Sequence, residues 1–206
     1  MLYIWDTNIG NIRPKNEDAF VLKEVWEGSH LLAVVVDCGG NGGGDVASDL
    51  AVRCISEHFR ECMHSINSID ILQSAVIFAN NSIYVQHYNP WLSQMSCVLT
   101  TAYINIGTGQ TIICYVGDTR LYTLRKGVFT KIISDRSLIG PLEGSGQIPE
   151  LGAMYHPAVT SLPEALVRIY FNGVQSISKL ILLNWSQTRS QFLSLVSVIQ
   201  VLNLSL

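Results

Sequence analysis

An α+β fold is predicted by three features of this 206-residue chain. Short runs rich in β-branched and aromatic residues recur between glycine-containing turns, two longer stretches carry helical periodicity, and 48% of residues are hydrophobic against 14% charged. Alternating strand and helix signals of this kind argue for helices packed on antiparallel sheets. The chain opens on the strand-like Leu2-Tyr3-Ile4-Trp5. Residues 18–24, 30–37, 95–105, 111–116, 120–124 and 128–133 read as further strands, with hairpin turns at Gly107-Thr108-Gly109 and Lys126-Gly127. Between the third and fourth strands lie the two helical stretches. Residues 45–64 place Val46, Leu50, Cys54, Ile55 and Phe59 on one face, and residues 69–88 do the same with Leu72, Ala75, Val76, Ala79 and Ile83.

The size and composition fit one domain over residues 1–206 with a sizeable core. A net charge of -3 leaves no basic footprint, which argues against nucleic acid as a partner. No apolar run reaches spanning length and no basic-then-apolar leader opens the chain, so neither a membrane nor a signal peptide is expected. Cys38, Cys54, Cys62, Cys97 and Cys114 are odd in number, lack CxxC spacing and sit in apolar stretches. They read as free thiols in a reducing compartment, hence a cytoplasmic protein. Charge nearly vanishes beyond about Val159, and residues 190–206 carry none, so that segment is expected to be buried rather than solvated.

Chemistry concentrates where the apolar run Val34-Val35-Val36 ends on Asp37 and breaks into Cys38-Gly39-Gly40-Asn41-Gly42-Gly43-Gly44. A carboxylate at a strand end, followed by backbone free to approach a ligand, can present oxygen to Mg²⁺ or Mn²⁺. It reads equally as a turn residue capping loop amides. Arg13 can clamp a phosphate or simply pair with Glu17 and Asp18, and Asp118 in Gly117-Asp118-Thr119 can be an ordinary turn residue. His58 and Cys62, four apart, share a helix face, but no second ligand cluster completes a tetrahedral site, so a structural role is preferred. Trp91, Tyr115 and Tyr122 read as core.

Taken in order, residues 6–20, 33–48, Met95-Ser96-Cys97-Val98-Leu99-Thr100-Thr101-Ala102, Val116-Gly117-Asp118-Thr119-Arg120-Leu121-Tyr122, Ser134-Asp135-Arg136-Ser137, Gly146-Gln147-Ile148, His156-Pro157 and Pro163-Glu164-Ala165-Leu166 resemble the metal-dependent Ser/Thr protein phosphatases, the type 2C or PPM family. The compactness of the chain and its bare Leu121-Tyr122-Thr123-Leu124-Arg125-Lys126-Gly127 hairpin look more like bacterial members. The resemblance implies a four-layer α-β-β-α sandwich of two antiparallel sheets flanked by helices. It implies hydrolysis of phosphoserine and phosphothreonine by water activated between two Mn²⁺ or Mg²⁺ ions. On the same basis Asp37 bridges the metals, the Cys38 carbonyl coordinates, Arg13 holds the phosphate, Glu17 and Asp18 support the ligands, and Asp118 matches a third-metal carboxylate.

Departures from the family pattern are equally local. Cys38 replaces the flexible glycine of the Asp-Gly loop, which is one residue shorter, and the histidine acid of animal members has no counterpart. Leu180-Ile181-Leu182-Leu183-Asn184-Trp185-Ser186-Gln187 aligns with Leu-Leu-Leu-Cys-Ser-Asp-Gly, so Ser186 stands at a lost metal-ligand position. The final Asp-Asn-Thr segment and closing strands are not matched, and residues 191–202 read as helical. About 159–206 is therefore expected to be a divergent, truncated end, or one altered by a shifted reading frame. The expected function is a pseudophosphatase that binds a phosphoprotein or regulatory partner, with weak metal binding or none. The alternative is an active Mn/Mg-dependent phosphatase whose missing ligands come from Glu17, Asp18, Asp45, Asp118 or a second chain. The C-terminal segment is expected to fold back as a strand or helix, or to pack in a homodimer.

Overall fold

The computed structural model describes residues 2–9, 14–38, 42–62, 68–125, 128–133, 137–156, 172–176, 179–185 and 195–202. Two five-stranded antiparallel sheets form the centre. One is built from β2 (Ala19–Val25), β3 (His30–Cys38), β4 (Cys97–Asn105), β5 (Gln110–Val116) and β8 (Asn172–Ser176), in the order β2-β3-β4-β5-β8. The other contains β1 (Leu2–Thr7), β6 (Arg120–Arg125), β7 (Val128–Lys131), β9 (Lys179–Trp185) and β10 (Leu195–Leu202), in the order β1-β10-β9-β6-β7.

β3 shows why the sheets stack as they do. Its residues alternate between faces, yet nearly all are apolar, because both faces are covered. Leu32, Val34, Val36 and Cys38 pack against the helices α1 (Gly44–Glu61) and α2 (Ser68–Gln86), while Leu31, Ala33 and Val35 join Ala102, Ile113, Tyr115 and Leu121 between the sheets. α1 approaches closely because Ala47 and Ala51, both fully buried, face the sheet, and Phe59 fills the far end against Tyr103, ring centroids 5.3 Å apart. α2 buries Ile71, Leu72, Ala75, Val76 and Ala79.

The outer face of the second sheet carries the fourth layer. Leu121 points into the inter-sheet core, so its neighbours Arg120 and Tyr122 point the other way. There Arg120 meets Glu143 of α3 (Gly140–Gly144) and Glu150 of α4 (Glu150–Met154), and Tyr122 donates a hydrogen bond to Glu150. The layers are thus the expected α-β-β-α.

Several expectations need correction. Val46 is 39% exposed, because the step of about 100° per residue carries it past the arc that Ala47, Ala51 and Ile55 bury. Trp91 is 89% exposed in a 3₁₀ turn at Pro90–Leu92, whereas Tyr115 and Tyr122 are core. Residues 195–202 form a strand, not a helix: Leu-Val-Ser-Val-Ile-Gln-Val-Leu is dense in β-branched residues, and β10 is paired antiparallel on both sides, to β1 and β9. A closing strand is therefore present, and this segment folds back into the sheet between β1 and β9. β8 was not anticipated. The Lys126-Gly127 turn lies outside the described residues.

A carboxylate-rich site at the strand ends

Sequence alternation that sends Val36 and Cys38 toward the helices sends Asp37 to the inter-sheet side, at the exit of β3. Asp18, just before β2, reaches the same place. Its Oδ1 accepts the Cys38 backbone N–H at 3.4 Å, and its own N–H donates to Asn16 Oδ1 at 3.1 Å. Asn16 Nδ2 donates in turn to Thr7 Oγ1 at 2.8 Å, tying the end of β1 to this corner.

Glu17 sits against the start of α1. A Cβ on Gly44 would lie 2.9 Å from Glu17 Oε2 and 3.0 Å from Cys38 Cβ, so only glycine lets the helix begin this close to the carboxylate. Ser48, one turn along, donates to the Glu17 carbonyl at 2.5 Å and locks the helix to that segment. Asp45, in the first turn of α1, pairs with Lys15, and the Lys15 ammonium holds its carboxyl below the usual range.

β4 and β5 complete the corner. Asp37 is the register partner of Val98, and Gly117, directly before Asp118, lies over the Val98 side chain. With φ +93° and an added Cβ only 2.2 Å from Val98 Cγ1, position 117 excludes any side chain. This close turn brings Asp118 to the same edge as Asp37 and Asp18, and Thr119 and Thr100 join their hydroxyls beneath it.

Of the residues singled out in the sequence, Asp37, Cys38, Glu17, Asp18 and Asp118 gather at this end. Arg13 and Ser186 lie outside the described residues, as do Asp135 and residues 163–166. Among the described residues, no three His, Cys, Asp or Glu side chains converge as a metal-binding group. His58 has the structural role expected: its Nε2 lies 2.8 Å from Ser74 Oγ and 3.4 Å from Cys62 Sγ, and its ring stacks on Phe78. The thiols are free throughout. Cys38 and Cys97 face each other across β3 and β4, and the hydrogen bond to Cys97, reinforced by burial, pushes the Cys38 thiol up from its ordinary value.

A feature not foreseen is a cavity of about 300 Å³ between α2 and the beginnings of β4 and the end of β5, lined by Val76, Ile83, Met95, Cys97, Leu99 and Val116 among others. Only the tertiary packing of α2 on the sheet creates it. The second unforeseen feature is the buried ion network around Arg120, whose charges are far apart in sequence.

No family model matches the chain. Among curated proteins, it is 32% identical over 164 residues to the serine/threonine phosphatase stp of Listeria monocytogenes serotype 4b, covering 78% of this chain and 64% of that protein. It is 30% identical over 158 residues to the serine/threonine protein phosphatase PstP of Mycobacterium tuberculosis, covering 76% of this chain and 29% of that one. The chain thus spans less than two thirds of the length of these relatives. Among solved structures, the serine/threonine phosphatase Stp1 from Staphylococcus aureus superposes with a TM-score of 0.75 at 23% identity, over 88% of this chain and 75% of that one. The catalytic domain of PstP in complex with two manganese ions gives 0.71 at 23% identity, over 88% and 76%.

Proposed function

The chain belongs to the PPM-like, type 2C phosphatase family, and from that premise we propose that it is a phosphatase-like domain with a weakened cation site, binding a phosphorylated protein segment and turning it over poorly or not at all. The observation that carries this reading is the end of β9: the strand finishes at Trp185, and Ser186 follows where the family pattern has a metal-binding Asp. A neutral hydroxyl does not replace a carboxylate in binding a hard divalent cation.

The residues present fit such a cation in part. Phosphatases of this family use Mn²⁺ or Mg²⁺, and oxygen donors suited to those ions stand at the strand ends in Asp37, Asp18 and Asp118. Asp37 and the Cys38 carbonyl would hold the ion, Glu17 and Asp18 would support them, and Arg13 would receive the phosphate. A bound pair of ions would supply an acidified water and stabilise charge on the phosphoryl oxygens. Asp37 would orient the ion, and the Cys38 N–H, held by Asp18, would fix the strand end from which both ligands come. Asp45 is a poor substitute for the missing ligand, because Lys15 already neutralises it.

The competing reading, an active phosphatase, is favoured by one observation, the placement of Asp118 at the same sheet edge as Asp37. Phosphate release from a phosphothreonine peptide in millimolar Mn²⁺, run beside calorimetric Mn²⁺ titration, separates the two. The proposal expects weak Mn²⁺ binding that Asp37→Asn abolishes, and release no faster than in that variant. Release that depends on Asp37 and approaches a working enzyme's turnover would overturn it in favour of the active reading.

A further inference from the structure

Cys38 and Cys97 are direct cross-strand partners at the exit of β3 and the entry of β4. Their pairing type can be worked out from the ladder. The Ile106 N–H donates to the Ser29 carbonyl at 2.9 Å, which makes 29 and 106 a hydrogen-bonded position of the β3–β4 pair. Alternation then makes every even-numbered position of β3, through Cys38, a non-hydrogen-bonded one. The Cys38 N–H agrees, since it points away from β4 toward Asp18. At such positions side chains approach most closely, with Cα atoms about 4.5 Å apart, inside the span of about 4.4 to 6.8 Å that a disulfide bridges. Both side chains stand on the helix-facing side of the sheet, so the two thiols are cross-strand neighbours close enough to influence each other.

Access is one-sided. Cys38 is 6% exposed, beneath Ser48 and the start of α1, whereas Cys97 is half-buried and lines the cavity of about 300 Å³ that reaches solvent beside Tyr84, itself 55% exposed. A small oxidant can enter there and meet Cys97 first.

We propose that Cys38 and Cys97 form a peroxide-oxidisable dithiol, a reversible modification site that closes to an intrachain disulfide. The Cys97 sulfur attacks one peroxide oxygen, forming an S–O bond as the O–O bond breaks, and water leaves with the Cys97 proton, giving a sulfenic acid. The Cys38 sulfur then attacks the Cys97 sulfur; the S–S bond forms, the S–O bond breaks, and hydroxide leaves as water with the Cys38 proton. Two thiols are oxidised by two electrons while hydrogen peroxide is reduced to two waters. A small dithiol reverses the bond by exchange through Cys97, the accessible sulfur. The closed form ties the residue following Asp37 to β4, so the strand end loses freedom.

The test is a thiol count on the full chain before and after hydrogen peroxide. Wild type has five cysteines and should lose two titratable thiols, recovered by dithiothreitol, with an increase in melting temperature that dithiothreitol also reverses. Cys97→Ser should keep all of its remaining thiols under the same mild dose, Cys38→Ser should lose only one, as an unresolved Cys97 sulfenic acid, and Cys62→Ser should still lose two. Unchanged thiols in wild type, the same loss in Cys97→Ser, or a wild-type Cys97 sulfenic acid that persists for trapping by dimedone without a disulfide would each overturn the proposal.

Discussion

Two acidic regions of this molecule are built on opposite principles. On the outer face of the second sheet, Glu143 and Glu150 surround Arg120, a guanidinium only 4% exposed, with Lys131 as a second cation for Glu143 and Tyr122 donating to Glu150. At the other sheet's strand ends, Glu17, Asp18, Asp37 and Asp118 are gathered instead by backbone: a Cys38 N–H, a glycine start of α1 and a glycine turn over Val98. Buried charge that serves architecture is matched by opposite charge. The strand-end carboxylates sit in a frame of backbone amides and glycine turns, with the Lys15–Asp45 ion pair out on the rim.

That contrast can be broken from either side. The largest effect is expected at Arg120. Arg120→Met leaves Glu143 buried beside Lys131 alone and should cost about 3 to 5 kcal/mol in urea unfolding, while adding Glu143→Leu should recover most of it, as a buried ion pair exchanged for apolar packing does. A single variant as stable as wild type would show the network to be dispensable.

Next comes Gly117→Ala, which forces an L residue to φ +93° and drives its Cβ into Val98. A loss of roughly 2 to 3 kcal/mol is expected from strain and overpacking together. Val98→Ala in the same chain should return the packing part and leave the strain, so equal costs in both backgrounds would show that the clash is relieved elsewhere.

Asp37→Asn sharpens the comparison in the opposite direction. If Asp37 serves cation binding, as proposed, its change alters stability by less than about 1 kcal/mol, measured by thermal melting without metal. Wild type is expected to gain melting temperature in Mn²⁺, and the same variant to lose that gain.

The smallest effect is a pH dependence away from both regions. His30 stacks on Tyr103 at 4.9 Å, accepts from Asn105 Nδ2 at 3.1 Å through Nε2, and faces Ser29 Oγ at 2.8 Å through Nδ1, an arrangement that suits the neutral ring. Burial lowers its pKa below 6.5. The unfolded chain therefore binds this proton more readily, so the contribution is present above pH 6.5 and lost as pH falls through the lowered folded value. His30→Gln should flatten the stability profile in that window; an unchanged acid slope would assign it to other groups.

What could be read from the chain alone follows from periodicity and local chemistry. β3 and β4 were legible as dense β-branched runs, and α1 and α2 as apolar stripes, because both faces or one stripe of each element is buried. The strand-end placement of Asp37 was legible too, since a run of valines ending in a carboxylate and glycines has few other solutions. β10 was misread because Leu and Val at mixed spacing suit a helix stripe or a buried strand equally, and length does not decide between them. Trp91 was misplaced because an aromatic side chain says nothing about whether its turn faces inward.

The sequence by itself determined the types of most elements up to β7, the α+β class and the carboxylates available for chemistry, because these depend on near neighbours along the chain. Only the tertiary structure decided that β10 inserts between β1 and β9, that Arg120 meets Glu143 and Glu150, that α2 leaves a cavity beside Cys97, and that Cys38 and Cys97 fall opposite each other. Each of those depends on register and packing between segments distant in sequence, where a shift of one residue would turn every side chain to the other face.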